Sequence, residues 1–252
     1  MIPKLVMQTW KTKTIPKEWQ EGYESVNNTM PAYKHVLMTD EDNLLFVEKY
    51  FPDFLTTFKS YKYGIQRADA IRYMWLYIHG GIYLDLDYKV LKSLEPLVAD
   101  CEITIGEDRR GSFFPYANML MASVPKHPFW LECIDLMKKR SKNNYIIRSV
   151  DVLMKTGPGI VNHIAKHWEN KDGFKRIPAK LINPCTLCEV RQKSCPQYTG
   201  SYLSELEGGS WNSSFEKCIL FMYCNAVYVL FALVMLIPPV WILFKKETLI
   251  CS

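Results

Sequence analysis

The chain has 252 residues, 48% of them hydrophobic and 13% aromatic, with a formal net charge of +5 at pH 7. That apolar content suffices for a sizeable domain with its own core, so a disordered chain is excluded. No Lys/Arg run exceeds three residues, which excludes a nucleic-acid footprint and leaves a mild attraction for anionic phosphates.

The first 90 residues alternate strand and helix signals. Residues 4–10, KLVMQTW, read as a strand, residues 16–26 as a helix, and residues 34–39, KHVLMT, as a second strand. Thr39 and Asp42 stand in capping-box spacing at the head of a further helix. Residues 64–79 carry Ala68, Ile71, Trp75 and Ile78 at helical spacing, and Gly80–Gly81 stop that helix. Beyond them, CEITIG at 101–106 and NMLMAS at 118–123 read as strands. Residues 127–140 read as an amphipathic helix, and TGPG at 156–159 is a turn leading into another. This alternation predicts an α/β sheet with helices on its faces and a ligand beyond the carboxyl ends of the strands.

The composition changes at the end. Residues 219–237 contain no charge, and after Pro238–Pro239 the apolar run resumes up to Lys245–Lys246. This length suits a bilayer span, so the organisation expected is a head at 1–215, a transmembrane helix at 218–244 and a short tail at 245–252. The amino-terminal residues do not read as a signal peptide. The two lysines after the span place the tail in the cytoplasm and the head in the lumen of the Golgi or secretory pathway. Sequons at Asn27 and Asn212 are compatible with that side. Among the cysteines, CTLCEVRQKSC at 185–195 has a C-x₂-C spacing, but a fourth zinc ligand is missing nearby, which favours a disulfide or plain thiols.

The stretch 80–90, GGIYLDLDYKV, raises the question of chemistry. On one continuous strand Tyr83, Asp85 and Asp87 share a face and Ile82, Leu84 and Leu86 the other. Two carboxylates side by side at the end of a buried strand suit a hard cation, Mn²⁺ or Mg²⁺, that bridges to a diphosphate. A phosphatase of the haloacid-dehalogenase type would need a small hydroxyl residue shortly after the second aspartate, where Tyr88 and Lys89 stand. A membrane-anchored carbohydrate-binding protein without turnover is the other alternative.

Three segments together, IPKLVMQTW, RADAIRYMWLYIHGGIYLDLD and MASVPKHPFW, resemble glycosyltransferase family 32. That family includes the yeast initiating α-1,6-mannosyltransferase and the inositol-phosphoceramide mannosyltransferases, and it is distantly similar to the glucosylating domains of the large clostridial toxins. The resemblance covers most of residues 1–215. It implies a GT-A fold, a UDP- or GDP-sugar donor, a divalent metal, transfer with retention, and a glycan, glycolipid or glycoprotein acceptor.

Carried over by residue, the resemblance makes Asp85 and Asp87 the metal and diphosphate site, with Asp87 the more direct ligand. Asp69 and Arg72 match the pair gripping the donor's sugar and ribose hydroxyls, and Trp10 the aromatic that stacks on the base. In ELEGGSW, Glu207 takes the place of a metal ligand, and Ser210 and Trp211 that of the pair completing the leaving-group site. The bland readings are a surface i,i+3 salt bridge for Asp69–Arg72 and a core position for Trp10. Asn118 and His127 follow the aspartates at distances suited either to acceptor contacts or to structural polar roles.

Overall fold

The computed structural model describes residues 1–109, 111–195, 200–206, 208 and 214–226. Residues Met1–Gly208 form one compact unit and Gly209–Ser252 another. In chain order the elements are β1 (Leu5–Thr9), α1 (Lys17–Thr29), β2 (Lys34–Met38), α2 (Asp40–Tyr50), α3 (Leu55–Ser60), α4 (Gly64–His79), β3 (Gly81–Leu84), β4 (Tyr88–Val90) and α5 (Glu95–Val98). They continue with β5 (Ile103–Glu107), β6 (Tyr116–Ser123), α6 (Pro128–Arg140), α7 (Arg148–Lys155), α8 (Pro158–Ala165), β7 (Phe174–Ile177), α9 (Ala179–Ile182), α10 (Leu187–Arg191), β8 (Leu203–Glu205) and α11 (Ser214–Cys224).

The main sheet has six strands in the order β2-β1-β3-β6-β5-β7, and a two-stranded sheet pairs β4 with β8. β1 is parallel to both β2 and β3, whereas β6 runs antiparallel between β3 and β5. Alternation along the strands divides the core between the two faces. Met7, Tyr83 and Met121 join α2, α4, α6 and α8 on one side. Val6, Ile82, Leu84, Leu120 and Ala122 join α1, β4, α5 and α9 on the other.

α4 is the internal helix. Every residue from Asp69 to Leu76 is buried, so the helix has no solvated face over two turns and must satisfy its own charges inside the protein. It ends at Gly80, whose φ is +64°, followed by Gly81 at +89°. A side chain at Gly80 would meet Ser123 O and Pro125 N at 2.7 Å, and one at Gly81 would meet Leu5 O at 2.7 Å. The glycines thus reverse the chain and let β3 lie against β1. Because α4 runs back against β3, its amino-terminal half lies at the carboxyl edge of the parallel strands.

The continuous strand expected through Asp85 and Asp87 is interrupted. β3 ends at Leu84, Asp85 N still donates to Met119 O at 2.9 Å, and Leu86–Asp87 form a turn before β4 pairs away with β8. The Thr39 capping box is present, with Asp42 N donating to Thr39 Oγ1 at 3.1 Å. Cys185 and Cys195 form a disulfide, so the C-x₂-C pair is not a paired unit, and Cys101, Cys133 and Cys218 are free thiols. The expected span at 218–244 lies largely outside the described residues. α11 exposes Phe215, Ile219, Phe221 and Tyr223, and no helix among the described residues is long and apolar enough to cross a membrane.

Candidate active site

At the carboxyl edge of β1 and β3 the predicted residues Asp69, Arg72 and Asp85 come into contact, Asp87 stands two residues beyond Asp85, and Trp10 follows the end of β1. Arg72 is the hub. Its Nη2 lies 3.1 Å from Asp69 Oδ1 and its Nη1 3.1 Å from Asp85 Oδ1, and Nη1 also donates to Asn118 O at 2.8 Å. The guanidinium sits 4.4 Å from the centre of the Tyr83 ring, a cation–π contact. The surface reading of the Asp69–Arg72 pair is therefore wrong: the side chains are only 5% and 4% exposed.

Asp69 is saturated by the protein. Oδ1 accepts from Arg72 and from Asn118 Nδ2 at 3.0 Å, and Oδ2 accepts from Thr156 Oγ1 at 3.1 Å. Burial raises its carboxyl to about 6 against the opposing pull of Arg72. Burial alone would lower the Arg72 guanidinium, but Asp85 and its neighbours outweigh it, so Arg72 is held charged. Asn118 also donates to Tyr73 Oη at 3.2 Å, and Tyr73 Oη donates to Thr156 O at 2.8 Å. Asn118 thus belongs to the network that fixes Asp69. His127 caps α6, its Nδ1 accepting from Phe129 N at 3.3 Å beside Trp168, a structural role.

Asp85 is held by one oxygen. Tyr83 Oη donates to Oδ1 at 2.5 Å, the atom that also faces Arg72, while the side chain keeps 28% exposure. Gln8, fully buried on β1, donates from Nε2 to Asp85 O at 3.3 Å. Asp87 is the uncompensated charge. Burial, the Asp85 carboxylate and the Glu205 carboxylate push its acid up to about 8, because charges of one sign in a low dielectric disfavour ionisation. Leu206 N donates to Asp87 O at 2.8 Å, and a side chain at Gly208 would collide with the Asp87 carboxylate. Glu207, Ser210 and Trp211 lie outside the described residues.

A divalent ion fits this turn: the donor set is all oxygen, and Asp85, Asp87 and Glu205 crowd carboxyl groups there, with Asp85 paired to Arg72 and Asp87 in none of the ion pairs among the described residues. No cluster of three His, Cys, Asp or Glu side chains able to hold a metal occurs among the described residues, so Asp85 and Asp87 would supply part of a coordination shell shared with the donor's diphosphate.

Trp10 follows β1, its N donating to Met38 O at 3.0 Å. The indole is half-buried, packed edge-on against Trp19 with ring centres 4.8 Å apart. Sequence reasoning missed Glu205, whose pairing with the Asp87 turn is non-local: it stands opposite Tyr88 across the β4–β8 ladder and meets Arg109 Nη2 at 2.5 Å.

Residues 16–104 match the glycosyltransferase sugar-binding region containing the DXD motif. This segment is a DXD-type glycosyltransferase sugar-binding region. The chain is 34% identical over 212 residues to mannosyl phosphorylinositol ceramide synthase SUR1 of Saccharomyces cerevisiae, covering 84% of this chain and 52% of that protein. It is 31% identical over 236 residues to inositol phosphoceramide mannosyltransferase 2 of Schizosaccharomyces pombe, covering 92% of this chain and 64% of the relative. The chain thus spans about half to two thirds of the length of these curated relatives. The glycosyltransferase domain of the YGT toxin superposes with a TM-score of 0.52 at 8% identity, over 70% of this chain and 80% of that one, which shows the fold alone. The expected mixed α/β, GT-A-like architecture holds.

Proposed function

We propose that this DXD glycosyltransferase is metal-dependent and retaining, and moves a hexosyl unit from a UDP- or GDP-sugar to a glycolipid, glycan or glycoprotein acceptor. The observation that carries the reading is Asp87, half-buried in a turn where the Asp85 and Glu205 carboxylates both bear on it. A protein keeps such repulsion where a cation relieves it. The names of the two relatives, a mannosyl phosphorylinositol ceramide synthase and an inositol phosphoceramide mannosyltransferase, favour a lipid-borne acceptor among these classes.

Asp85 and Asp87 would hold Mn²⁺ or Mg²⁺, which would supply positive charge against that growing on the departing diphosphate. The protein's part is preorganisation. Tyr83 and Arg72 clamp Oδ1 of Asp85 and leave its second oxygen to face the ligand, at no reorganisation cost during reaction. Trp10 offers a face to the nucleobase. Both oxygens of Asp69 are engaged by Arg72, Asn118 and Thr156, which supports an anchoring role over a covalent nucleophile. The acceptor hydroxyl then gives its proton to the departing phosphate oxygen on the same face of the sugar, so bond breaking and bond making need no protein nucleophile.

Residues 218–244 are proposed to anchor the protein in a membrane of the secretory pathway, with 1–215 in the lumen. The Cys185–Cys195 disulfide supports an oxidising compartment, and the apolar exposed side chains of α11 support a hydrophobic environment for that segment. A hydrolysis screen over UDP- and GDP-sugars with Mn²⁺ tests the reading. Chelator-sensitive release of one nucleoside diphosphate is expected, and no release across the panel contradicts it.

A further inference from the structure

The loop between α6 and α7 combines two surface features. Ile146 is fully exposed and Ile147 is 60% exposed, side by side, and Val150 one turn on is exposed as well. Two adjacent bare isoleucines are unusual, because a loop tip in water is ordinarily polar. The second feature is charge. Between Leu136 and Asp151 the chain carries Lys138, Lys139, Arg140, Lys142 and Arg148 and no acidic residue. Arg140 is tied inward to Met154 O and Gly159 O and Arg148 lies over Tyr63, whereas Lys139 and Lys142 are exposed.

The loop's position gives these features a purpose. Arg148 sits 4.7 Å from the Tyr63 ring at the head of α4, and Gln66 Nε2 donates to Asp151 Oδ2 at 2.8 Å. Thr156, just past α7, holds Asp69. The amino-terminal ends of α4 and α7 therefore lie together, on the side of the carboxyl edge of β3 where Asp69 and Arg72 of α4 meet Asp85. The apolar tip stands on the side of the donor site.

We propose that Ile146 and Ile147 insert into the interface of an anionic lipid bilayer, with Lys139 and Lys142 on the headgroups, so that the active-site edge faces the membrane surface. Apolar side chains set among basic ones are what an interfacial anchor requires: burial in the acyl boundary and attraction to negative headgroups act together. The inference rests on the lipid-borne acceptor reading: it puts the donor site where such an acceptor lies, and an inositol-phosphate headgroup of that kind supplies the negative charge on the lumenal side. The basic segment supplies the complementarity that selects an anionic bilayer over an uncharged one.

Hydrogen exchange on the full chain tests it, with phosphatidylcholine vesicles compared with phosphatidylcholine–phosphatidylserine vesicles. The whole chain meets both, so any insertion of the carboxyl-terminal apolar segment is common to the two. Amides of 143–148 should exchange about tenfold more slowly with the anionic vesicles, and equal rates in both would overturn the proposal. The Ile146→Ser/Ile147→Ser double variant should lose that protection with an unchanged melting temperature, and retained protection also overturns it. Should the double variant fail to fold, Lys139→Gln/Lys142→Gln serves instead: protection with anionic vesicles should fall to the uncharged level, and undiminished protection counts against the proposal. Donor hydrolysis by the unaltered chain in detergent is measured alongside. Its absence contradicts the transferase reading and not the docking.

Discussion

Arg72 Nη2 lies 3.1 Å from Asp69 Oδ1, one helical turn away on α4, with neither side chain more than 5% exposed. Arg72 also meets Asp85, so one buried cation serves two carboxylates on two elements. Removing it leaves both uncompensated, at a cost of about 3–5 kcal/mol. Arg72→Met should therefore lower the urea midpoint strongly. A loss under about 1 kcal/mol would contradict the buried-hub description.

Gly81 should tolerate no side chain. Its φ of +89° and the 2.7 Å approach of Leu5 O make Gly81→Ala a combined strain and overpacking change of about 2–4 kcal/mol. Thermal melts of the variant should fall accordingly, whereas Gly111→Ala, whose Cβ meets nothing within 4 Å although its φ is +82°, should cost less.

His35 makes stability fall on acidification. Its Nε2 lies 2.9 Å from Gln8 Oε1 and its ring packs at a tilt against Tyr23, and burial lowers its pKa to about 4. The unfolded chain takes up this proton near pH 6.5 and the folded chain does not. The contribution is therefore fully present above pH 6.5 and is lost as pH falls toward 4. With the ring partly exposed it amounts to about 1–2 kcal/mol. Urea unfolding of His35→Gln should show a correspondingly smaller fall in stability from pH 7 to pH 5 than the parent; equal falls would contradict the assignment.

Much of this was legible in the sequence. The boundaries expected for α4 agree with the structure because the apolar spacing is strong and Gly80–Gly81 leave only one place to stop. The strand through Asp87 was misread for a physical reason. Period-two alternation continues past Leu84, but the partner that captures Tyr88–Val90 is β8, more than a hundred residues on, and local pattern cannot register that pairing. No apolar stripe marks α7 in the sequence, because its buried residues are just Asp151 and Val152. The site shows the same division. The DXD turn and the Asp69–Arg72 pair stand out as a motif, whereas Thr156 on Asp69 and Glu205 beside Asp87 come from distant segments with no spacing signal.

Trp10 separates core from ligand roles. It is half-buried, at right angles to Trp19, with Lys11 Nζ over its ring at 5.4 Å, and the proposed reading has a base stack on it. Trp10→Ala should weaken nucleoside diphosphate binding by about 1–3 kcal/mol. A variant that loses thermal stability while keeping its affinity would return Trp10 to the core.

Asp87→Asn tests the central claim most directly. Because burial, Asp85 and Glu205 already oppose ionisation of Asp87, neutralising it should leave the metal-free protein as stable as the parent or more so, while removing the charge that draws in the cation. Calorimetric titration of nucleoside diphosphate with and without Mn²⁺ reads both consequences. The parent should bind the diphosphate much more tightly with Mn²⁺, and the folded variant should show the same weak affinity in either condition. Metal-dependent binding that persists undiminished in Asp87→Asn would contradict the assignment of this turn as the metal and diphosphate site.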